Sequence, residues 1–196
     1  MLLNLLKFIF RTYFRVFYKV EVIGLDNIPQ TGAVILTCNH VSNFDPPLVG
    51  GFVGLRRDPI YIIKKELASV PIVGPVLKSF GFIAIDRYRK GGDLHSLKQA
   101  LQVIKKGKAL FIFPEGTRSK TGKPIKPKAG IGFLLWHCQA PVIPIRVFNT
   151  EKLPFTRNLK IVIGKPFMPK MQEGKQTKEQ FQDIADQVMQ QIIKLK

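Results

Sequence analysis

The chain has 196 residues, 45% of them apolar and 22% charged, which suits one globular domain with a sizeable core and excludes a disordered chain. Lys and Arg number 31 against 13 Asp and Glu, a net charge of +18. That excess attracts polyanions of several kinds, among them nucleic acid, anionic lipid headgroups, phosphorylated substrates and an acidic carrier protein, without choosing among them.

In residues 1–19, Lys7, Arg11, Arg15 and Lys19 recur every fourth position in a run otherwise filled largely by Leu, Ile, Phe and Val. This period predicts a helix with a narrow basic stripe and a very broad apolar face. Four spaced cations argue against a membrane span. The lack of an uninterrupted apolar region with a small-residue cleavage site argues against a secretory signal. Two readings stand: a helix lying in the headgroup plane with its cations toward anionic phosphate, and a core-packing helix with solvated cations. The width of the apolar face favours the first, which divides the chain into a membrane-associating helix, 1–19, and a domain, 20–196.

Val20–Ile23 reads as a short strand ended by Gly24, and 26–32 is rich in turn formers. Ala33–Cys38, Pro59–Ile63 and Gly81–Ile85 are continuous apolar runs of the kind that buried strands show. Lys64–Ser69 reads as a short helix closed by Pro71 and Gly74. Asp93 is an N-cap candidate for a helix whose Leu94, Leu97, Leu101 and Ile104 share a face, with Gly107 as its stop. Lys108–Phe113 then returns as a strand, 129–138 as a helix, and Val142–Phe148 and Leu159–Ile163 as strands. Thr177 with Gln180 makes a capping-box signature ahead of an amphipathic C-terminal helix. The fold class is α/β: a central, mostly parallel sheet flanked by helices, with the amphipathic membrane-surface helix at the N-terminus.

Three segments carry candidate chemistry. His40 follows the strand Ala33–Cys38 directly, at the carboxyl end that is the usual ligand edge of an open α/β sheet. Asp45 is five residues on, roughly 140° away on a straight helix, so the pair meets only if the chain turns between them; Ser42 and Asn43 supply turn chemistry. A met pair is an acid–base unit: a neutral imidazole accepts a hydroxyl proton, and a carboxylate orients it and stabilises the imidazolium. The alternative is a His and an Asp that cap a turn for structural reasons. In the second segment, Phe113–Ser119, Gly116 allows close backbone approach, Thr117 and Ser119 add hydroxyls, and Arg118 can grip phosphate through two parallel bonds. Glu115 either accepts from a substrate hydroxyl or holds Arg118, and the alternative is a polar loop with a surface ion pair. The third is Gly81–Arg87, where Arg87 follows a buried strand and either reaches the same edge or pairs with a carboxylate such as Asp86.

Other chemistries find little support. Cys38 and Cys138 are far apart in apolar surroundings, which fits reduced thiols in a cytosolic compartment rather than a disulfide framework or zinc site. There is no Gly-x-Ser-x-Gly elbow, no His-Glu-x-x-His and no Walker A loop. His95 reads as solvated, and His137 as core or groove lining.

Taken in order, the three segments resemble the motif set of the HxxxxD-type glycerolipid acyltransferase family: His40…Asp45, Gly81…Arg87, and Phe-Pro-Glu-Gly-Thr-Arg-Ser matched in full at Phe113–Ser119. The family's fourth motif, an apolar run around proline, resembles Pro141–Ile145. The resemblance spans at least residues 20–165. It implies that His40 deprotonates a glycerol hydroxyl attacking an acyl thioester and that Asp45 orients His40. It also implies that Arg87 and Arg118 hold the acceptor's phosphate and that Glu115, Gly116 and Thr117 belong to the acceptor site. It implies no metal, no cofactor and no covalent acyl-enzyme. It further implies acyl-CoA or acyl carrier protein as donor, lysophosphatidate as acceptor, phosphatidate for phospholipid synthesis as product, and a peripheral or monotopic location on the cytoplasmic face of the cell membrane. Glycerol-3-phosphate or another lysolipid is the alternative acceptor. A basic lipid- or nucleic-acid-binding module is the non-enzymatic alternative. Nucleic acid is not the expected partner, because few aromatics are interleaved with the cations beyond residue 20 and no reading motif appears.

Overall fold

The computed structural model describes residues 2–86, 88, 93–171, 174 and 177–196. Its strands are β1 (Lys19–Ile23), β2 (Val34–Cys38), β3 (Ile60–Lys64), β4 (Ile83–Ile85), β5 (Ala109–Ile112), β6 (Val142–Phe148) and β7 (Asn158–Ile163). Its helices are α1 (Leu2–Phe17), α2 (Asp45–Val53), α3 (Lys65–Ala68), α4 (Val73–Ser79), α5 (Leu94–Lys105), α6 (Gly130–Cys138) and α7 (Lys178–Lys194). The seven strands form one sheet in the order β1-β7-β6-β2-β5-β3-β4. Every pairing is parallel except β6 with β7. The α/β class and the mostly parallel sheet agree with the sequence reading.

The apolar runs are continuous because both faces of the sheet are covered. On β2, Val34, Leu36 and Cys38 pack toward one layer, with Phe14 of α1 and Leu48, Val49 and Phe52 of α2. Ile35 packs toward the other, with residues of α5, α6 and α7. There Gly132 lets α6 meet α7 backbone to backbone: a Cβ at that position would lie 1.8 Å from the Phe181 carbonyl oxygen. Asp93 caps α5 by accepting from the Ser96 N–H, and Thr177 and Gln180 form the capping box of α7.

Two helices depart from expectation. In α2, Pro46 and Pro47 lie in the first turn, where a missing N–H costs no helical bond. Its Gly51 permits a close crossing by α1, since a Cβ there would meet the Arg11 backbone nitrogen at 3.1 Å. Likewise Gly74, read with Pro71 as closing a helix, lies at the start of a second one, α4.

The basic stripe of α1 lies along this crossing rather than facing away from the domain. Lys7 reaches Asp58 at 2.7 Å and the Gly54 carbonyl at 3.4 Å, and the Arg15 guanidinium sits 5.9 Å from the centre of the Phe52 ring. The side turned outward is apolar: Leu5, Phe8, Ile9, Val16 and Phe17 are exposed, Phe8 by 66% and Val16 by 69%, while Phe14 is buried in the core. A four-residue period identifies which residues share a stripe, not which way that stripe points.

The reversed pairing of β7 on β6 has a positional effect. Strands β1 and β7 begin at the edge where β2, β5 and β6 end, so the carboxyl end of α1 arrives at that edge. The Phe14 ring meets Phe44 edge-on at 6.5 Å, one residue before Asp45.

Candidate active site

Asn39 ends β2 in an unusual way. Its side-chain amide donates to the Val147 carbonyl at 3.1 Å and accepts from the Val147 N–H at 2.8 Å. A side chain thus continues the β2–β6 ladder for one residue, and the main chain is free to leave the sheet at His40. The turn that follows is closed by the Asp45 N–H on the Ser42 carbonyl, 3.4 Å, and by the Phe44 N–H on Ser42 Oγ, 3.2 Å.

That turn brings His40 and Asp45 together. His40 Nδ1 lies 2.9 Å from Asp45 Oδ2. The same oxygen accepts from the Val41 and Ser42 N–H groups at 2.7 Å each, and Asp45 Oδ1 accepts from Thr150 Oγ1 at 2.5 Å. Asp45 is fully buried and is the first residue of α2. Four donors and the positive end of that helix compensate its negative charge. With a carboxylate on Nδ1, the proton sits on that nitrogen and Nε2 keeps its lone pair. Nε2 has no hydrogen-bond partner among the described residues, and the ring stacks on Phe113 with centroids 4.1 Å apart.

The loop after β5 grips His40 from the other side. Glu115 Oε1 accepts from the His40 N–H at 2.8 Å, and the Ser119 N–H donates to the His40 carbonyl at 2.8 Å. The second Glu115 oxygen accepts from the Ile125 N–H at 3.2 Å, and the Lys128 N–H closes onto the Pro114 carbonyl at 2.8 Å. The sequence offered Glu115 a substrate hydroxyl or Arg118. In the structure it is fully buried, and both its oxygens are taken by main-chain N–H groups. Gly116 takes a positive φ of 68° as this loop turns.

Burial pushes the Glu115 carboxyl up to about 7, against the pull of the two N–H groups, with the negative charge of Asp45 adding to the rise. The folded chain therefore holds this proton more tightly than the unfolded one. The stabilisation it brings is complete below the ordinary Glu range and is lost as pH rises through about 7. Thermal melts of wild type and Glu115→Gln should therefore differ most near pH 5, with the wild type's advantage shrinking toward pH 8. A gap that widens over that interval would contradict the assignment.

Thr117 and Arg118 are exposed on the same loop, and Arg118 has no ion-pair partner among the described residues, so its guanidinium is open to a ligand. Arg87 lies outside the described residues. Cys38 is fully buried and burial pushes its thiol well above the ordinary range, so it stays protonated and is no nucleophile. His95 is exposed beside Gln99. His137, read as core or groove lining, is instead exposed at the end of α6, with Nδ1 2.9 Å from the Phe133 carbonyl. Among the described residues no cluster of three or more His, Cys, Asp or Glu is placed to hold a metal, and no helix is long and apolar enough to cross a membrane. Thr150 is the residue that sequence reasoning missed, since it sits 105 positions from Asp45 with no local pattern to mark it.

Fold and site together define an open α/β sheet protein with a buried His–Asp dyad at the carboxyl edge of its strands, bonded through the His40 main chain to a neighbouring loop that carries an exposed arginine. The chain belongs to the Acyltransferase family, whose sequence profile matches residues 19–148. It is similar to the 1-acyl-sn-glycerol-3-phosphate acyltransferase of Pseudomonas aeruginosa, 38% identical over 65% of this chain and 48% of that one. It is also similar to a chloroplastic 1-acyl-sn-glycerol-3-phosphate acyltransferase of Arabidopsis thaliana, 29% identical over 76% and 44%. The crystal structure of the 1-acyl-sn-glycerophosphate acyltransferase PlsC from Thermotoga maritima superposes with a TM-score of 0.74 at 27% identity, covering 96% of this chain and 77% of that one. The chain spans about half the length of the curated relatives it matches.

Proposed function

We propose that this protein transfers a fatty acyl group from an acyl thioester to the free hydroxyl of 1-acylglycerol-3-phosphate, giving phosphatidate. The observation that carries this reading is the His40–Asp45 dyad, with Nε2 unengaged among the described residues, its His40 main chain bonded to the loop that carries the exposed Arg118. Relatives named for this acceptor support the choice of substrate.

His40 Nε2 takes the proton of the glycerol hydroxyl as that oxygen attacks the thioester carbonyl carbon. The C–O bond forms, and the tetrahedral adduct collapses with loss of the thiolate. The imidazolium, stabilised meanwhile by Asp45, returns its proton to the departing sulfur. An ester and a free thiol result, and the step balances without a metal, a redox group or an acyl-enzyme. Arg118 and Arg87 hold the acceptor's phosphate by charge-assisted bonds, while Gly116 and Thr117 shape the acceptor site. Glu115 serves that site through the main chain it braces.

Purified protein given lysophosphatidate and either acyl-CoA or acyl carrier protein should form phosphatidate and free thiol. Turnover of glycerol-3-phosphate but not lysophosphatidate would move the assignment to the earlier acylation, and turnover of neither would end it. Arg118→Ala should raise KM for the phosphorylated acceptor about tenfold, the loss of one charge-assisted contact, and leave the donor's KM unchanged. An unaltered acceptor KM would take Arg118 out of the site.

The same reading places the protein on the cytoplasmic face of an anionic bilayer, supported by the outward apolar side of α1. Because Phe14 belongs to the core, deleting the helix would also disturb the fold, and substitution is the cleaner probe. The triple change Leu5→Ser, Phe8→Ser and Val16→Ser should leave the melting temperature unchanged. It should weaken sedimentation with phosphatidylglycerol vesicles by at least about tenfold, given the transfer energy of three large side chains. Equal sedimentation would put the membrane contact elsewhere.

A further inference from the structure

Asp45 presents two oxygens in very different surroundings. Oδ2 is approached by three donors, His40 Nδ1 and the Val41 and Ser42 N–H groups, at 2.7–2.9 Å. Oδ1 takes the Thr150 hydroxyl. A carboxylate oxygen has about two lone-pair directions, so three donors on one oxygen compete. Left with an idle Oδ1, the carboxylate would gain by swinging about Cβ–Cγ until a backbone N–H moved to the free oxygen. That swing draws Oδ2 away from the imidazole.

We propose that Thr150 is a positioning residue for the transfer reaction: by donating to Asp45 Oδ1 it stops this swing, and so holds Oδ2 on His40 Nδ1. The threonine is well held for the task. It is 1% exposed and opens the single 3-10 turn Thr150–Lys152 that follows β6. Asn149, just before it, adopts a left-handed φ of 67° and donates from its side chain to the Asn158 carbonyl at 3.0 Å. Strand β6 is itself tied to the start of the catalytic turn by the two Asn39–Val147 bonds. A third strand end therefore sets the dyad, alongside those of β2 and β5. Thr150 touches neither the reacting hydroxyl nor the thioester, and its effect passes through Asp45.

This inference rests on the proposed acyl transfer, and it is tested by kinetics together with a measurement that needs no turnover. Thr150→Val keeps the shape and removes the donor, while Thr150→Ser keeps the donor. The valine variant should lose about tenfold to a hundredfold in kcat, the range set by losing one hydrogen bond to a charged group, with both KM values nearly unchanged. The serine variant should regain most of the wild-type rate. In an Asp45→Asn background the valine should add less than about twofold, because a residue acting through Asp45 has little left to act on.

Nitrogen-15 shifts of the imidazoles report the tautomer directly, and with 3 histidines in the chain the His40 signals are assigned by their loss in His40→Ala. Wild type and Thr150→Ser should show His40 protonated at Nδ1, and Thr150→Val a mixture of tautomers. Should the valine disturb folding, Thr150→Ala is read in its place. An unchanged tautomer in the folded donorless variant would overturn the proposal, as would a raised KM at full kcat, equal losses in Ser and Val, or full additivity with Asp45→Asn. A wild type without acyl transfer would fail the proposed function alone, and the imidazole shifts would still decide the role of Thr150.

Discussion

His40→Ala should cut acyl transfer by roughly 10²- to 10⁴-fold, the usual loss on removing a general base, while the protein stays folded. The structure separates the two effects. What alanine removes is one ring, stacked on Phe113 and bonded to Asp45. It leaves the His40 N–H on Glu115, the Ser119 N–H on the His40 carbonyl, and both backbone donors on Asp45 Oδ2. The acceptor's KM should therefore hold, since the loop carrying Arg118 is bonded to main-chain atoms of residue 40, which alanine retains. Initial rates over a range of lysophosphatidate, with a thermal melt of the same sample, check both halves. A folded variant retaining more than about a tenth of wild-type turnover would remove His40 as the base.

Asp45→Asn should be nearly as damaging, on the order of 10²- to 10³-fold in kcat, without displacing the imidazole. The Val41 and Ser42 N–H groups both point at the Oδ2 position and require an acceptor there. The amide oxygen takes that place, which sends the NH2 group toward Thr150, whose hydroxyl can turn to accept it. His40 then keeps an oxygen on Nδ1. What is lost is the negative charge that offsets the imidazolium as the proton is taken up. Wild-type kcat in this variant would show that the charge contributes nothing to turnover, and Asp45 would be left with a structural role.

Much of the fold could be read from apolar runs, because strands such as β2 are covered on both faces, and the hydroxyl that β2 does carry, on Thr37, is buried and donates to the Ile143 carbonyl. Capping chemistry marked α5 and α7 for the same local reason. Helix α2 was not legible: Pro46, Pro47, Gly50 and Gly51 are helix breakers by composition. They are tolerated because the prolines fall in the first turn and Gly51 lies under α1. The antiparallel pairing of β7 depends on which strand it meets, and that choice is not written in its own residues. In the site, the spacing of His40 and Asp45 demanded a turn, and Ser42 supplied it. Glu115 was singled out for its type, but its task as a brace follows from burial, which only the assembled loops determine. Thr150 carries no signature because its partner lies on another strand end.

The two-sided hold on His40 by Glu115 and Ser119 affects how variants of the 113–119 loop are to be understood. The main chain of His40 is bonded on both sides to the segment that also presents Arg118. On the proposed reaction, damage to the loop should therefore blunt proton abstraction even at a residue as buried as Glu115. On that same reaction, a phosphate drawn against Arg118 would bear on the backbone of the base as well.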